Sequence, residues 1–247
     1  MKSSVIVTGA SSGIGAEIAR EFSKNGHFVF LFGRDQKKLQ LVQKTCLNET
    51  EIFAFDLKDL KDFKTTILNL LENRPPLEIL VNNAGIYKQS RFEMTSTEIW
   101  NEQFQVNLLA PVELTQLIWP LFIKNKKGSV VNISSTLGIK PAPGTSAYSA
   151  IKAALNNLTI TLAQEGGAHN IRVNAVCPGI VDTPIHTFHN LKPDEKSKIT
   201  TELATLQMLP RIGQPSDIAQ ATYFLGSDQS AWTTGAILSV DGGIGQK

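Results

Sequence analysis

Short runs of apolar and β-branched residues recur along the chain, separated by segments whose apolar positions follow helical spacing. The runs cover 5–7, 28–32, 51–55, 79–81, 129–133, 172–176 and 236–240. Several lack polar alternation, which is the pattern of strands covered on both faces. The segments 14–25, 36–46, 62–73, 148–164 and 217–226 read as amphipathic helices. Strand alternating with helix implies right-handed crossovers. The pattern therefore predicts an α/β fold, a doubly wound parallel seven-stranded sheet with helices on both faces.

No repeat, low-complexity tract or linker interrupts this order, so residues 1–247 are expected to form one domain. The stretch 183–213 has no clear strand character. An excursion of that length in a compact domain reads as a binding lid, here with a short helix around 194–208. The apolar stretch 108–123 is interrupted by Glu113, Thr115 and Gln116 and contains Pro111 and Pro120. It reads as a buried helix rather than a membrane span.

Composition narrows the class. A 42% hydrophobic and 19% charged chain has the balance of a soluble globular protein. A net charge of +2 gives no argument for nucleic acid or an anionic membrane, and Lys124, Lys126 and Lys127 read as a solvated helix end. Cys46 and Cys177 form no disulfide framework or zinc spacing. The N-terminus runs directly into a strand without a signal-peptide pattern, so the expected location is the cytoplasm.

After the first strand comes Thr8-Gly9-Ala10-Ser11-Ser12-Gly13-Ile14-Gly15, and a helical pattern follows at once. Amides at such a helix start, with the helix dipole behind them, suit a pyrophosphate, and the glycines let the backbone approach it. The spacing is Gly-x-x-x-Gly-x-Gly rather than the commoner Gly-x-Gly-x-x-Gly. Arg34, nineteen residues beyond Gly15, stands where NAD-selecting enzymes usually carry a carboxylate, and an arginine there suits the 2′-phosphate of NADP. The adjacent Asp35 leaves NAD open, unless it caps the helix that starts at Gln36.

Tyr148 and Lys152 stand at i and i+4, thirteen and seventeen residues after Ser135, and Asn107 borders the apolar helical stretch. On a helix the phenol and the ammonium share a face. With an ordinary pKa of roughly 10, a phenol handles protons at neutral pH only where its surroundings assist, and Lys152 is placed to lower that value. Taken alone, such a pair is more often a half-buried ring and a solvated charge.

Taken in order, these segments resemble the short-chain dehydrogenase/reductase family, and within it members similar to 3-oxoacyl-[acyl-carrier-protein] reductase. The likeness covers essentially the whole chain. Gly9, Ser11, Ser12, Gly13, Ile14 and Gly15 resemble its cofactor turn, Asp56 and Leu57 its adenine-side pair, and Asn82-Asn83-Ala84-Gly85 its fourth-strand signature. Asn107, Ser135, Tyr148 and Lys152 match its catalytic tetrad. The segment Pro178-Gly179-Ile180-Val181-Asp182-Thr183 resembles the one that meets the nicotinamide, and Val240-Asp241-Gly242-Gly243 resembles its C-terminal turn.

The resemblance implies a Rossmann-fold enzyme that moves hydride between a nicotinamide and a carbonyl or secondary alcohol, with NADP(H) favoured over NAD(H). Tyr148 would be the general acid or base. Lys152 would lower its pKa and hold the nicotinamide ribose, Ser135 would position the substrate oxygen, and Asn107 would hold a water leading from Lys152. The family's interval to the tyrosine selects Ser135 over Ser134. A 3-oxoacyl thioester is the default substrate. An NAD-dependent alcohol, sugar or steroid dehydrogenase and a non-catalytic NADP sensor are the alternatives. Family members are commonly tetramers, so a tetramer or dimer is expected, with helices around 107–119 and 148–162 and the last strand at the interfaces. His186 and His189 lack a third metal ligand and read as lining the substrate site. His27 and His169 read as surface turn residues, and Trp100, Trp119 and Trp232 as core or subunit contacts.

Overall fold

The computed structural model describes residues 2–57, 67 and 74–247. Seven strands lie in one parallel sheet: β1 Ser4–Thr8, β2 Phe28–Gly33, β3 Thr50–Ala54, β4 Leu77–Asn82, β5 Gly128–Ile133, β6 Ile171–Pro178 and β7 Ile237–Val240. Their order is β3-β2-β1-β4-β5-β6-β7. The chain thus winds outward from β1 in one direction and resumes from β1 in the other. The loops that leave β1 and β4 therefore diverge and open a crevice at the carboxyl ends of the strands.

The helices among the described residues are α1 Gly13–Lys24, α2 Gln36–Gln43, α3 Thr97–Phe104, α4 Ala110–Asn125, α5 Ser146–Gly166, α6 Pro193–Ala204 and α7 Pro215–Gly226. Unbroken apolar strands supply a core on each face of the sheet. One holds Val5, Val7, Val29 and Leu31 against Ile18 and Phe22 of α1, Leu39 of α2, and Ile218 and Tyr223 of α7. The other holds Ile6, Phe30, Phe32 and Leu80 against Leu114, Ile118 and Phe122 of α4 and Ala163 of α5. The helical run Thr97–Asn125 is long and apolar enough to cross a membrane by length and composition. Here the apolar face of its second half covers the sheet.

A buried polar ladder fixes the strands nearest the crevice. Asn82 donates to Asn132 Oδ1 at 2.9 Å, and Asn132 donates to Thr159 Oγ1 at 2.9 Å. The ladder ties β4 and β5 to α5 in one register, because a slip would leave these amides unpaired in the core. At the end of β1, Thr8 Oγ1 accepts from the amides of Asn83 and Ala84 at 2.9 and 3.0 Å.

Several expectations change. Helix α3 was not anticipated, α2 ends at Gln43 instead of 46, and β6 runs on to Pro178. The helix expected at 62–73 lies outside the described residues, apart from Ile67. His27 is not a surface residue: it is 5% exposed, bonded at Nδ1 to Ser3, and packed edge-on against Phe22 and Tyr223. Burial holds its imidazole below its ordinary pKa. Trp232 is fully exposed and belongs to no core.

Candidate active site

The glycine turn is built for close approach. Gly9 and Gly13 have φ of +66° and +54°, a region that side chains with a Cβ avoid. A Cβ on Gly15 would lie 2.3 Å from Gly9 O. Ser12, at the N-cap of α1, gives no side-chain hydrogen bond to the helix, and the first turn holds no acidic residue. The chain's own side chains therefore leave this helix start for an anion, and the cradle fits a pyrophosphate. Thr183, 4% exposed, lies across the turn, close enough that a Cβ on Gly13 would meet it at 3.3 Å. Pro178 and Gly179 pair with β7 through Val240 and carry Ile180 toward Thr183.

At the outer end of the crevice, an open cavity of about 940 Å³ is lined by Ser11, Ser12, Arg34 and Asp35, with Gln36, Lys37, Lys38 and Gln40 of α2. Asp35 Oδ1 accepts from Lys38 N at 3.1 Å, so this carboxylate caps α2. Asp56 is exposed beyond β3. Leu57 joins Thr8, Ala84 and Leu114 around a narrow crevice beside it.

At the inner end, Tyr148 and Lys152 lie on one face of α5, 9% and 3% exposed. Lys152 Nζ donates to Ile133 O at 2.8 Å and sits 5.7 Å from the centre of the Tyr148 ring. Ser134 is buried, and its Oγ donates to Lys152 O at 3.2 Å. Ser135 is half-buried beside Tyr148, its Oγ accepting from Leu137 N at 3.1 Å. Asn107 lies in a π-helical turn, Gln105–Leu109, that joins α3 to α4. Its amide is paired with Ile86: Oδ1 accepts from Ile86 N and Nδ2 donates to Ile86 O, both at 2.9 Å. Gly85 lies between the partners, since a Cβ there would be 3.0 Å from Asn107 Oδ1 and 3.9 Å from Lys152 Nζ.

Burial dominates the electrostatics of both Tyr148 and Lys152. Burial is the largest influence on Tyr148 and raises its pKa far above the ordinary value, while the hydrogen bond with Ser135 acts against it. Burial likewise lowers Lys152, to about 8. Lys152 is held at the ring and at Ile133 O rather than at the phenol oxygen, and desolvation dominates both groups.

One residue beyond the anticipated set also faces this site: Tyr87 packs edge-on against Tyr148. The anticipated His186 stacks on Phe188. Tyr87 carries no spacing signature, and only its place two residues past Gly85 could have singled it out. His186 and His189 diverge: His189 Nδ1 meets Asp182 Oδ1 at 3.2 Å, and Lys196 meets Asp182 Oδ2 at 2.8 Å. Among the described residues no group of three or more potential metal ligands occurs.

A parallel sheet with its switch-point crevice, a glycine cradle at one end and a serine, tyrosine and lysine at the other, defines a nucleotide-dependent oxidoreductase architecture. Residues 3–194 match the short chain dehydrogenase family. The chain is 33% identical over 244 residues to the 3-oxoacyl-[acyl-carrier-protein] reductase FabG of Thermotoga maritima, covering 97% of this chain and 96% of that protein. It is 35% identical over 242 residues to L-xylulose reductase of Caenorhabditis elegans, covering 97% and 94%. Among solved structures, a variant of actinorhodin polyketide ketoreductase with NADPH superposes with a TM-score of 0.91 at 28% identity, covering 100% of this chain and 98% of that one. The chain belongs to the short-chain dehydrogenase/reductase family, whose members are oxidoreductases acting on alcohol or carbonyl groups with a nicotinamide cofactor.

Proposed function

We propose that the chain is a single-domain, cytoplasmic, NADP(H)-dependent reductase of carbonyl compounds, with a 3-oxoacyl thioester as the default substrate. One observation carries the reading: Ser135, Tyr148 and Lys152 meet beside Gly85 at the inner end of the crevice whose outer end is lined by Arg34, Lys37 and Lys38. The nicotinamide supplies hydride to the substrate carbon. Gly9, Ser11, Ser12, Gly13, Ile14 and Gly15 hold its pyrophosphate, with Thr183 closing over the turn. Asp56 and Leu57 bound the adenine side. Asn83, Ala84, Gly85, Pro178, Gly179 and Ile180 line the path inward. Arg34 is the candidate partner of a 2′-phosphate, and Asp35 does not compete for it because it caps α2.

In reduction, negative charge grows on the carbonyl oxygen. Ser135 orients that oxygen and Tyr148 delivers the proton to it. A phenol buried as Tyr148 is stays protonated at neutral pH, which suits an acid. Lys152, with its pKa near 8, can pass on a proton and return it within a mildly alkaline range. Asn107 holds Ile86 in place and, in this reading, a water through which Lys152 exchanges protons with solvent. The segment 183–213 supplies the substrate side.

Two variants test the reading. Tyr148→Phe should abolish NADPH oxidation with acetoacetyl thioesters and diketones while leaving NADPH binding, followed by its fluorescence, within about twofold. Appreciable turnover would refute the role of Tyr148. Arg34→Ala should weaken NADPH roughly tenfold or more and leave NADH little changed. Equal losses would remove the basis for NADP over NAD and leave the NAD-dependent alcohol, sugar or steroid dehydrogenase as the alternative.

A further inference from the structure

Tyr87 leaves the sheet five residues after β4 and turns its ring over the site. It packs on Tyr148 with centroids 4.9 Å apart and planes at 70°. It also approaches His186 at 6.5 Å, and His186 stacks on Phe188 at 5.0 Å. Four rings thus run from α5 to the segment that follows β6. A ring on an extended segment would ordinarily swing aside. Here the backbone on both sides of Tyr87 is held.

Ile86 is paired through its N–H and its carbonyl with the Asn107 amide. Lys88 N donates to Gln103 Oε1 at 3.2 Å, and Lys88 O accepts from Gln103 Nε2 at 3.5 Å. Both amide side chains have no solvent exposure. They act as an edge-strand partner for residues 86–88 and fix the direction of the Tyr87 side chain between them. Ser90 N adds a bond to Gly144 O at 2.9 Å, just before α5. Freeing Tyr87 would strand buried amide groups without partners.

We propose that Tyr87 determines substrate shape: its clamped ring is a wall that lets linear carbonyl chains reach Tyr148 and turns away fused-ring ketones. The proposal rests on the carbonyl-reductase reading and gives that site its substrate class. Tyr148 keeps only 9% of its surface exposed beside this wall. A slender chain can bring its oxygen to Tyr148 and Ser135 along the remaining edge. A rigid polycyclic ketone must push Tyr87 off its clamps.

The test compares wild type, Tyr87→Ala and Tyr87→Phe with NADPH and two substrates, a linear acetoacetyl N-acetylcysteamine thioester and fused-ring trans-1-decalone. Wild type should prefer the thioester, and Tyr87→Ala should reduce the ratio of kcat/KM values by roughly tenfold through a gain on decalone. Tyr87→Phe, which keeps the ring, should keep the wild-type ratio. A wild-type preference for decalone, or an unchanged ratio in Tyr87→Ala, overturns the proposal. Should no protein reduce either compound, the carbonyl-reductase reading fails and a titration decides the wall by itself. With 13C-labelled tyrosine, and the Tyr148 signal identified from Tyr148→Phe, Tyr87→Ala should admit water and lower the Tyr148 pKa, while Tyr87→Phe keeps it high. An unchanged titration in Tyr87→Ala means that the ring seals nothing, and overturns the proposal.

Discussion

Burial drives Tyr148 and Lys152 in opposite directions, one toward holding its proton and the other toward losing it. For Lys152 this has a measurable consequence for stability. Its pKa is about 8 in the folded chain, and roughly 10.4 in an unfolded one. Between these values the unfolded state binds more protons, so this lysine makes stability rise with pH across that window. Below it, the folded protein carries the cost of a buried cation whose one hydrogen bond goes to a carbonyl. Lys152→Met should therefore lose activity yet be at least as stable at pH 7, and should lack the gain in stability between pH 8 and 10. Denaturant midpoints of both proteins measured across that range check this. Parallel pH profiles would contradict it. Above pH 10 the raised Tyr148 acts with the opposite sign, since an unfolded phenol ionises first, so the comparison belongs below that point.

Among the elements, β6 and α7 are joined by one side chain. The Arg172 guanidinium donates to the carbonyls of Leu225, Gly226, Ser227 and Thr233 and to Ser230 Oγ, at 2.7–3.3 Å. It closes the carboxyl end of α7, where carbonyls lack helical partners. Arg172→Leu keeps bulk but removes the guanidinium bonds, and because Leu225, Ser227 and Thr233 O keep Ser230 or Asn174 as donors it should cost about 2 kcal/mol in chemical denaturation. A loss below about 1 kcal/mol would mean that water replaces the clamp. The strands were legible because burial on both faces writes an apolar run. Helix α3 was not, since Gln103 is its one fully buried residue and no apolar stripe marks it. The same blindness hid Tyr87. Its position depends on amides from α3 and the π turn, about fifteen to twenty residues away in sequence, and no local pattern encodes that pairing. His27 was misread because its packing partners come from α1 and α7, and only the assembled fold brings them to it.

For the whole molecule, the surface carries apolar groups that the chain does not cover. Trp232 is fully exposed, with Phe224 of α7 and Leu238 of β7 also open to solvent. Among the described residues strand β7 pairs with β6 alone and stands at the edge of the sheet. A second apolar surface lies along α5, where Ala150, Ala153, Ala154 and Ile160 point outward. A lone exposed indole presents roughly 150–250 Å² of surface that association would remove from water. Two distinct patches suit a tetramer with dihedral symmetry, which needs two kinds of self-complementary contact, whereas a dimer needs one. Trp232→Ser and Ile160→Asp separate these cases by sedimentation velocity. In a tetramer, either substitution should leave dimers and the pair together monomers. In a dimer, only one of the two should matter. The melting temperature of wild type should also rise with protein concentration, because association stabilises the folded state by mass action. A wild-type protein that sediments as a monomer, with a concentration-independent melting temperature, would leave both patches as ordinary surface.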